Sequence, residues 1–337
     1  MPTITNREIR LRSRPVGEPA VDNFELVHVE IDSTPPEDGL LVRNLYMSVD
    51  PYMRGRMREG RSYTAPFAIG EALTGGAVGE VVASNHPDFA PGDVVLHHDG
   101  WREYALVHGQ GATKIDPNLA PVQSFLGVLG MPGQTAYVGL LDIGQPKPGE
   151  TVFVSGAADA VGSLVCQIAK LQGCRVVGSA SRAAKTRWLV EQAGVDGVVN
   201  YREAKNLRRA IAAQCPDGVD VYFENVGGAH LEATLSLMND FGRIVVCGMI
   251  SQYNAAEPAP GPRNLALIIG RRLRMQGFIV SDHPERRADF HRDMAAWMAE
   301  DKIRWEETIV EGIEHAPEAF VGLFHGENLG KMLVKLA

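Results

Sequence analysis

The residues of this chain best suited to chemistry lie in a tight run of small side chains, Ser155-Gly-Ala-Ala-Asp-Ala-Val-Gly162. A run of this kind between a strand and a helix lets the backbone approach a pyrophosphate, which then sits on the positive end of the helix. On G-x-G-x-x-G the best register places Ala157, Asp159 and Gly162 at the three key positions. Ala158, Asp159, Val161 and Gly162 are therefore the candidate phosphate-facing residues. Asp159 departs from the pattern, because a carboxylate at the point of closest approach repels phosphates. It reads alternatively as the N-cap of the following helix. An NAD site calls for an acid about 20 residues further on. Here Arg175-Val-Val-Gly-Ser179 runs instead into Ala180-Ser-Arg-Ala-Ala-Lys185. Ser181, Arg182 and Lys185 suit a 2′-phosphate, and cations at a helix start are unfavourable without an anion. NADP(H) is expected over NAD(H).

The elements that must position these residues follow from periodicity. Thr151 to Ser155 reads as a buried strand behind the Pro146–Gly149 turn, and Ala160 to Gln172 as a helix stopped by Gly173. Alternation continues with strand 175–179, helix 183–193, strand 197–200, helix 203–214, strand 219–224, helix 229–239 and strand 242–248. This is α/β architecture, a doubly wound parallel sheet. Before it, Phe24–Ile31, Gly39–Met47, Ala77–Ala83, Asp93–His97 and Trp101–Val107 read as strands without long helices, a barrel-like all-β region. A helix enters after Pro132. The β-like pieces Glu306–Glu311 and Lys331–Lys335 flank helix 316–325, and such a tail is expected to rejoin the first domain. The expected domains are 1–128 with 301–337, and 129–300.

At 337 residues two domains are expected. A net charge of −8 without a basic cluster argues against a nucleic-acid partner. No apolar run is long enough to span a bilayer, and no signal-like start is present, so a cytoplasmic protein is expected. Cys166, Cys174, Cys215 and Cys247 show no metal-ligand spacing, and His97-His98 reads as a surface turn, so no zinc is expected.

Several segments carry a family resemblance: Met47-Ser-Val-Asp-Pro-Tyr-Met-Arg54, Gly130-Met-Pro-Gly-Gln-Thr-Ala-Tyr137, Gly173-Cys-Arg-Val-Val-Gly178 and Lys185-Thr-Arg-Trp188. Phe223-Glu-Asn-Val-Gly-Gly228, Cys247-Gly-Met-Ile-Ser-Gln-Tyr-Asn254 and Gly326-Glu-Asn-Leu-Gly-Lys331 continue it. Together, in order, they resemble the zinc-independent alkenal/enone reductase branch of the medium-chain dehydrogenase/reductases, which includes prostaglandin reductases and plant double-bond reductases. The resemblance implies a GroES-like β-barrel domain with a Rossmann domain. It implies that Lys185 binds the 2′-phosphate, that Tyr201 flanks the adenosine, and that Thr135, Asn225 and Asn328 line the nicotinamide half. Cys247, Gly248, Ile250, Ser251 and Tyr253 belong to the loop along the cofactor, and Phe278, Ile279 and Val280 to the segment near the carboxamide. Zinc-dependent relatives carry Gly-His-Glu where this chain has Gly70-Glu71, with no histidine there and no cysteine before Cys166.

Without a Lewis acid, hydride chemistry suits an activated C=C bond. The expected reaction is NADPH-dependent reduction of an α,β-unsaturated aldehyde or ketone at its β-carbon. Charge builds on the carbonyl oxygen, where Tyr253 is the expected donor or relay beside the ribose hydroxyl. Tyr52, Tyr63, Met131 and Met249 are candidate substrate-pocket residues. A quinone reductase using the same site, and a non-catalytic nucleotide sensor suggested by Asp159, are the alternatives. A homodimer acting on a small enone or alkenal completes the expectation.

Overall fold

The computed structural model describes residues 3–337. The chain begins with strands β1 (Thr3–Leu11), β2 (Phe24–Asp32), β3 (Gly39–Ser48), β4 (Ala77–Ser84), β5 (Val94–His97), β6 (Tyr104–His108) and β7 (Thr113–Lys114), with a short helix α1 (Met53–Arg56). Strand β1 was not anticipated. Its period-2 signal is broken by Arg7, Glu8 and Arg10, yet Asn6, Glu8, Ile9 and Leu11 are buried. It pairs antiparallel with β2 in register Thr3↔Asp32 to Leu11↔Phe24.

From residue 128 the expected alternation appears, starting with helix α2 (Met131–Val138), which continues as a π-helical turn over Gly139–Gly144. Then come β8 (Thr151–Val154), α3 (Gly162–Leu171), β9 (Arg175–Ala180), α4 (Ala183–Glu191), β10 (Gly197–Asn200), α5 (Leu207–Gln214), β11 (Val219–Glu224), α6 (Gly228–Leu235) and β12 (Met238–Val246). Short helices α7 (Ile250–Tyr253) and α8 (Leu267–Gly270), strand β13 (Arg274–Gly277) and helix α9 (Arg287–Ala299) follow. The sheet order is β10-β9-β8-β11-β12-β13, and every adjacent pair is parallel. The order reverses between β8 and β11, the position where open α/β sheets hold ligands. Strand β12 starts at Met238, inside the stretch expected to be helical, because its first residues pair with β11 at Val219↔Met238.

The chain ends with β14 (Glu307–Glu311), α10 (Ala316–Phe324) and β15 (Lys331–Lys335). Strand β15 pairs antiparallel with β3, in a seven-stranded sheet ordered β14-β15-β3-β4-β5-β7 with β6 also on β3. Two compact units result: residues 3–127 with 307–328 and 332–337, and residues 128–306 with 329–331. This is the GroES-like plus Rossmann α/β fold. In the first unit the core centres on Phe24, Trp101 and Phe320, with Phe24 stacked on Trp101 at 6.0 Å and Phe320 edge-on to both. In the second, Phe153, Val177, Tyr222 and Ile244 lead a buried cluster on the sheet.

His97 is not on a surface turn. It ends β5 and is buried, while His98 is exposed. Its Nε2–H donates to Asn44 Oδ1 at 2.8 Å, and its Nδ1 accepts from the Asp99 N–H at 3.1 Å. A second ring proton would face a donor, and burial, aided by His98 and Arg102, lowers the ring pKa from 6.5 to about 3. The unfolded chain takes up this proton first as pH falls, so the stability is complete above 6.5 and is lost progressively towards 3. In denaturant unfolding, the stability lost between pH 7 and pH 5 should be about 2 kcal/mol smaller in His97→Gln than in the native chain. Equal pH profiles for the two proteins would rule this out.

Candidate functional site

The carboxyl ends of β8, β9, β10, β11, β12 and β13 bring most of the expected residues onto one edge of the parallel sheet. After β8 the chain turns sharply at Gly156, whose φ is +59°. The left-handed residue of this turn is Gly156, immediately before Ala157, the first position of the motif register. Ala157 and Ala158 are buried, and helix α3 begins at Gly162. A Cβ on Gly162 would lie 2.2 Å from the Gly156 carbonyl oxygen and 2.9 Å from Ala157 Cα. The turn therefore needs glycine for close helix–strand packing, as a phosphate turn does. Val161 occupies the N-cap position with no side-chain cap. Asp159 is not the helix cap. Its side chain reaches instead to Lys185, whose Nζ donates to Asp159 Oδ1 at 2.6 Å.

Lys185 lies in the first turn of α4, buried, and Arg182 is that helix's N-cap residue. Ser181, also buried, precedes it. Tyr201 follows β10 and meets the ring of His230 edge-on at 5.0 Å. His230, on α6, is hydrogen-bonded with Ser179 of β9 at 3.0 Å. Burial lowers its pKa from 6.5 to about 4, so the ring is neutral at physiological pH. A lone histidine in a helix has no local signature, so no pattern in the chain singled this residue out.

At β11 and β12 two turns are stitched together. Glu224 is fully buried, and its Oε1 accepts from Ser155 Oγ at 2.8 Å and from the Val226 N–H at 2.7 Å. Burial raises the pKa of this carboxyl, against the pull of those hydrogen bonds. Asn225 donates its Nδ2–H to the Ser155 carbonyl at 2.7 Å and its backbone N–H to Ser155 Oγ at 2.9 Å. The Cys247 and Gly248 N–H groups donate to the Glu224 carbonyl at 2.9 and 3.0 Å, and Ile250 N–H to the Asn225 carbonyl at 3.1 Å. Ser251 donates Oγ–H to the Val226 carbonyl at 2.5 Å. Tyr253 closes α7 with its hydroxyl oxygen accepting the Met249 N–H at 3.3 Å. Burial pushes the Cys247 thiol up to about 12, so it is no nucleophile at neutral pH. Ser155 and Glu224 were missed by the sequence reading, because each acts through the turn it braces.

Phe278 packs close to Gly139, where a Cβ would meet the Phe278 ring at 2.7 Å and the Phe223 ring at 2.8 Å. Ile279 and Val280 follow it, partly exposed. Thr135 turns its hydroxyl onto its own helix, donating to the Met131 carbonyl at 2.7 Å. Met131 is exposed, and Met249 packs against the sheet cluster.

The remaining candidates belong to the first unit. Tyr52 packs on that unit's core, while Tyr63 is exposed and Asn328 is buried. Burial and the neighbouring Asp50 raise the Tyr52 pKa, whereas hydrogen-bonded Arg56 opposes them. Arg56, not anticipated, lies 3.9 Å over the Phe67 ring and donates to Thr74 Oγ1 at 2.9 Å. Among the described residues no group of three or more His, Cys, Asp or Glu side chains could hold a metal ion. No helix among them is long and apolar enough to cross a membrane.

A parallel sheet with this glycine turn, linked in sequence to a barrel unit, defines a nucleotide-dependent oxidoreductase architecture. Residues 7–115 match the family model described as the N-terminal domain of oxidoreductase, and residues 160–300 match zinc-binding dehydrogenase. The chain is 46% identical to the NADPH-dependent curcumin reductase of Escherichia coli, covering 98% of this chain and 97% of that one. It is 43% identical to the 2-alkenal reductase (NADP(+)-dependent) of Nicotiana tabacum, over 99% of this chain and 98% of the other. The crystal structure of CurA from Vibrio vulnificus in complex with NADPH superposes with a TM-score of 0.94 at 44% identity, covering 98% and 99%. The chain belongs to the medium-chain dehydrogenase/reductase family.

Proposed function

We propose that this protein is an NADPH-dependent reductase of activated C=C bonds, acting on α,β-unsaturated aldehydes and ketones. The observation that carries the reading is a glycine-packed phosphate turn beside a buried lysine. The relatives named for NADPH-dependent curcumin and 2-alkenal reduction support the same reaction. The residues fit the cofactor: the turn has no room for a Cβ at Gly162, and Lys185 offers a cation for a 2′-phosphate.

When bound, NADPH supplies the hydride that adds to the substrate's β-carbon. Lys185, Arg182 and Ser181 hold the 2′-phosphate, and Tyr201 covers the adenosine end. The Gly156–Gly162 turn takes the pyrophosphate through backbone N–H groups. Asn225 and Thr135 serve the nicotinamide half, with the 247–253 loop and Phe278–Val280 alongside. Tyr253 stabilises charge developing on the substrate's carbonyl oxygen and passes on a proton. Met131 and Met249 contact the substrate. The protein works in the cytoplasm as a homodimer. Strand β13 is an outer strand of its sheet, and Ile269 and Phe241 nearby are 80% and 65% exposed. A sedimentation mass of a single chain would remove the dimer.

The test is steady-state NADPH oxidation with 2-alkenals, cyclic enones and quinones, NADH run in parallel. Enones should turn over with NADPH preferred, and Lys185→Met should raise the NADPH KM roughly 10- to 100-fold while leaving the NADH value nearly unchanged. Quinones turning over faster than every enone would favour the quinone-reductase alternative. No turnover of any acceptor would sink the catalytic reading.

A further inference from the structure

Lys185 is nearly sealed, with 6% of its side chain exposed, and its ammonium meets an Asp159 carboxylate whose side chain is 46% exposed. The partners come from different turns, Asp159 from the β8–α3 loop and Lys185 from the first turn of α4. A buried ammonium with no counter-charge is strongly disfavoured. The positive end of α4 adds to the local demand for an anion. The glycine that the phosphate-turn pattern places at position 159 supplies none, so the demand would be met only by bound nucleotide. Asp159 meets it from within the chain.

We propose that Asp159 is a built-in stand-in for the 2′-phosphate: it holds Lys185 while the nucleotide is absent and releases it when NADP(H) binds. The inference rests on the reading of Lys185 as the 2′-phosphate ligand. It makes Asp159 a determinant of cofactor affinity acting through Lys185, rather than through direct repulsion of the pyrophosphate. A carboxylate and a phosphate dianion crowding one small ammonium repel each other, so the exchange replaces sharing. Ligands bearing a 2′-phosphate therefore bind against a competitor, and ligands lacking it leave the pair intact.

Two fragments separate these roles: 2′-AMP carries the 2′-phosphate without a pyrophosphate, and 5′-ADP the reverse. Calorimetric titration of both, and of NADPH, is run on the native chain, Asp159→Asn, Asp159→Gly and the Asp159→Asn/Lys185→Met double variant. Asp159→Asn should tighten 2′-AMP about tenfold, which is about 1.4 kcal/mol, and change 5′-ADP by less than about twofold. The double variant should lose the gain. In the absence of ligand, Asp159→Asn should melt below the native chain, and 2′-AMP should close that gap. Asp159→Gly keeps the test usable should the asparagine variant fold poorly. Equal gains on both fragments would assign Asp159 to pyrophosphate repulsion, and a gain on neither, or one surviving in the double variant, would equally overturn the stand-in. If NADPH binds the native chain while 2′-AMP ignores Asp159, only this inference falls. If NADPH binds no form, the cofactor reading falls and takes this one with it.

Discussion

Tyr253→Phe is expected to lower kcat for enone reduction roughly 100-fold while changing the NADPH dissociation constant by less than about threefold. The side chain ends the single turn of α7, and that turn is fixed by Ile250 and Ser251 bonding back to residues 225 and 226. A Cβ on Gly248 would come within 2.9 Å of the Tyr253 oxygen, so the hydroxyl lies tight against the loop backbone. Accepting the Met249 N–H polarises the O–H bond towards donation. A donor already oriented needs no reorganisation as charge builds on a carbonyl oxygen, which is where such groups act most strongly. Phenylalanine keeps the ring and the turn but removes the donor. A purely structural tyrosine would instead weaken NADPH binding and kcat together, because the 247–253 loop would loosen. Stopped-flow single turnovers with a 2-alkenal, beside NADPH titrations, separate these outcomes. An unchanged single-turnover rate would remove Tyr253 from the chemistry.

The parallel half of the fold was legible because buried strands and amphipathic helices differ in period, and β8 to β11 follow that difference closely. Legibility failed where charge interrupts the pattern. Strand β1 carries Arg7, Glu8 and Arg10, whose charges are absorbed by ion pairs such as Arg7 with Glu103 and Arg10 with Glu8. Helix α9 has Arg287, Asp289, Arg292 and Asp293 on its surface and buries only Phe290 and Met294, too sparse a stripe to stand out. At the site, the turn and the cations could be read as separate motifs, but not the bond between Asp159 and Lys185. That pair joins residues 26 apart in sequence through the packing of α3 and α4 on neighbouring strands. The same limit hid His230, which meets Ser179 across 51 residues, and Ser155, which meets Glu224 across 69. Local pattern carries period and turn chemistry. It carries nothing about which polar groups a sheet brings together.

Gly162→Ala is expected to weaken NADPH binding more than about 100-fold and to destabilise the second unit by about 3 kcal/mol. The added methyl would meet the Gly156 carbonyl oxygen at 2.2 Å and Ala157 Cα at 2.9 Å, both backbone atoms. Neither can yield without moving the turn, since Ala157 N–H is bonded to the Ser179 carbonyl at 3.0 Å and Asp159 N–H to the Gly156 carbonyl at 3.2 Å. The strain therefore passes to the start of α3, where Ser163 N–H bonds the Asp159 carbonyl at 3.0 Å. Shifting that end moves the backbone donors that a pyrophosphate requires. Gly149→Ala supplies the contrast. Its φ of +86° also disfavours a side chain, but nothing lies within 4 Å of the added Cβ. It should cost about 1 kcal/mol and leave NADPH affinity intact. Thermal melting and NADPH titration of the two variants distinguish general backbone strain from a crowded phosphate turn. If Gly162→Ala binds NADPH as well as Gly149→Ala does, close approach of α3 to the turn is not what the cofactor uses.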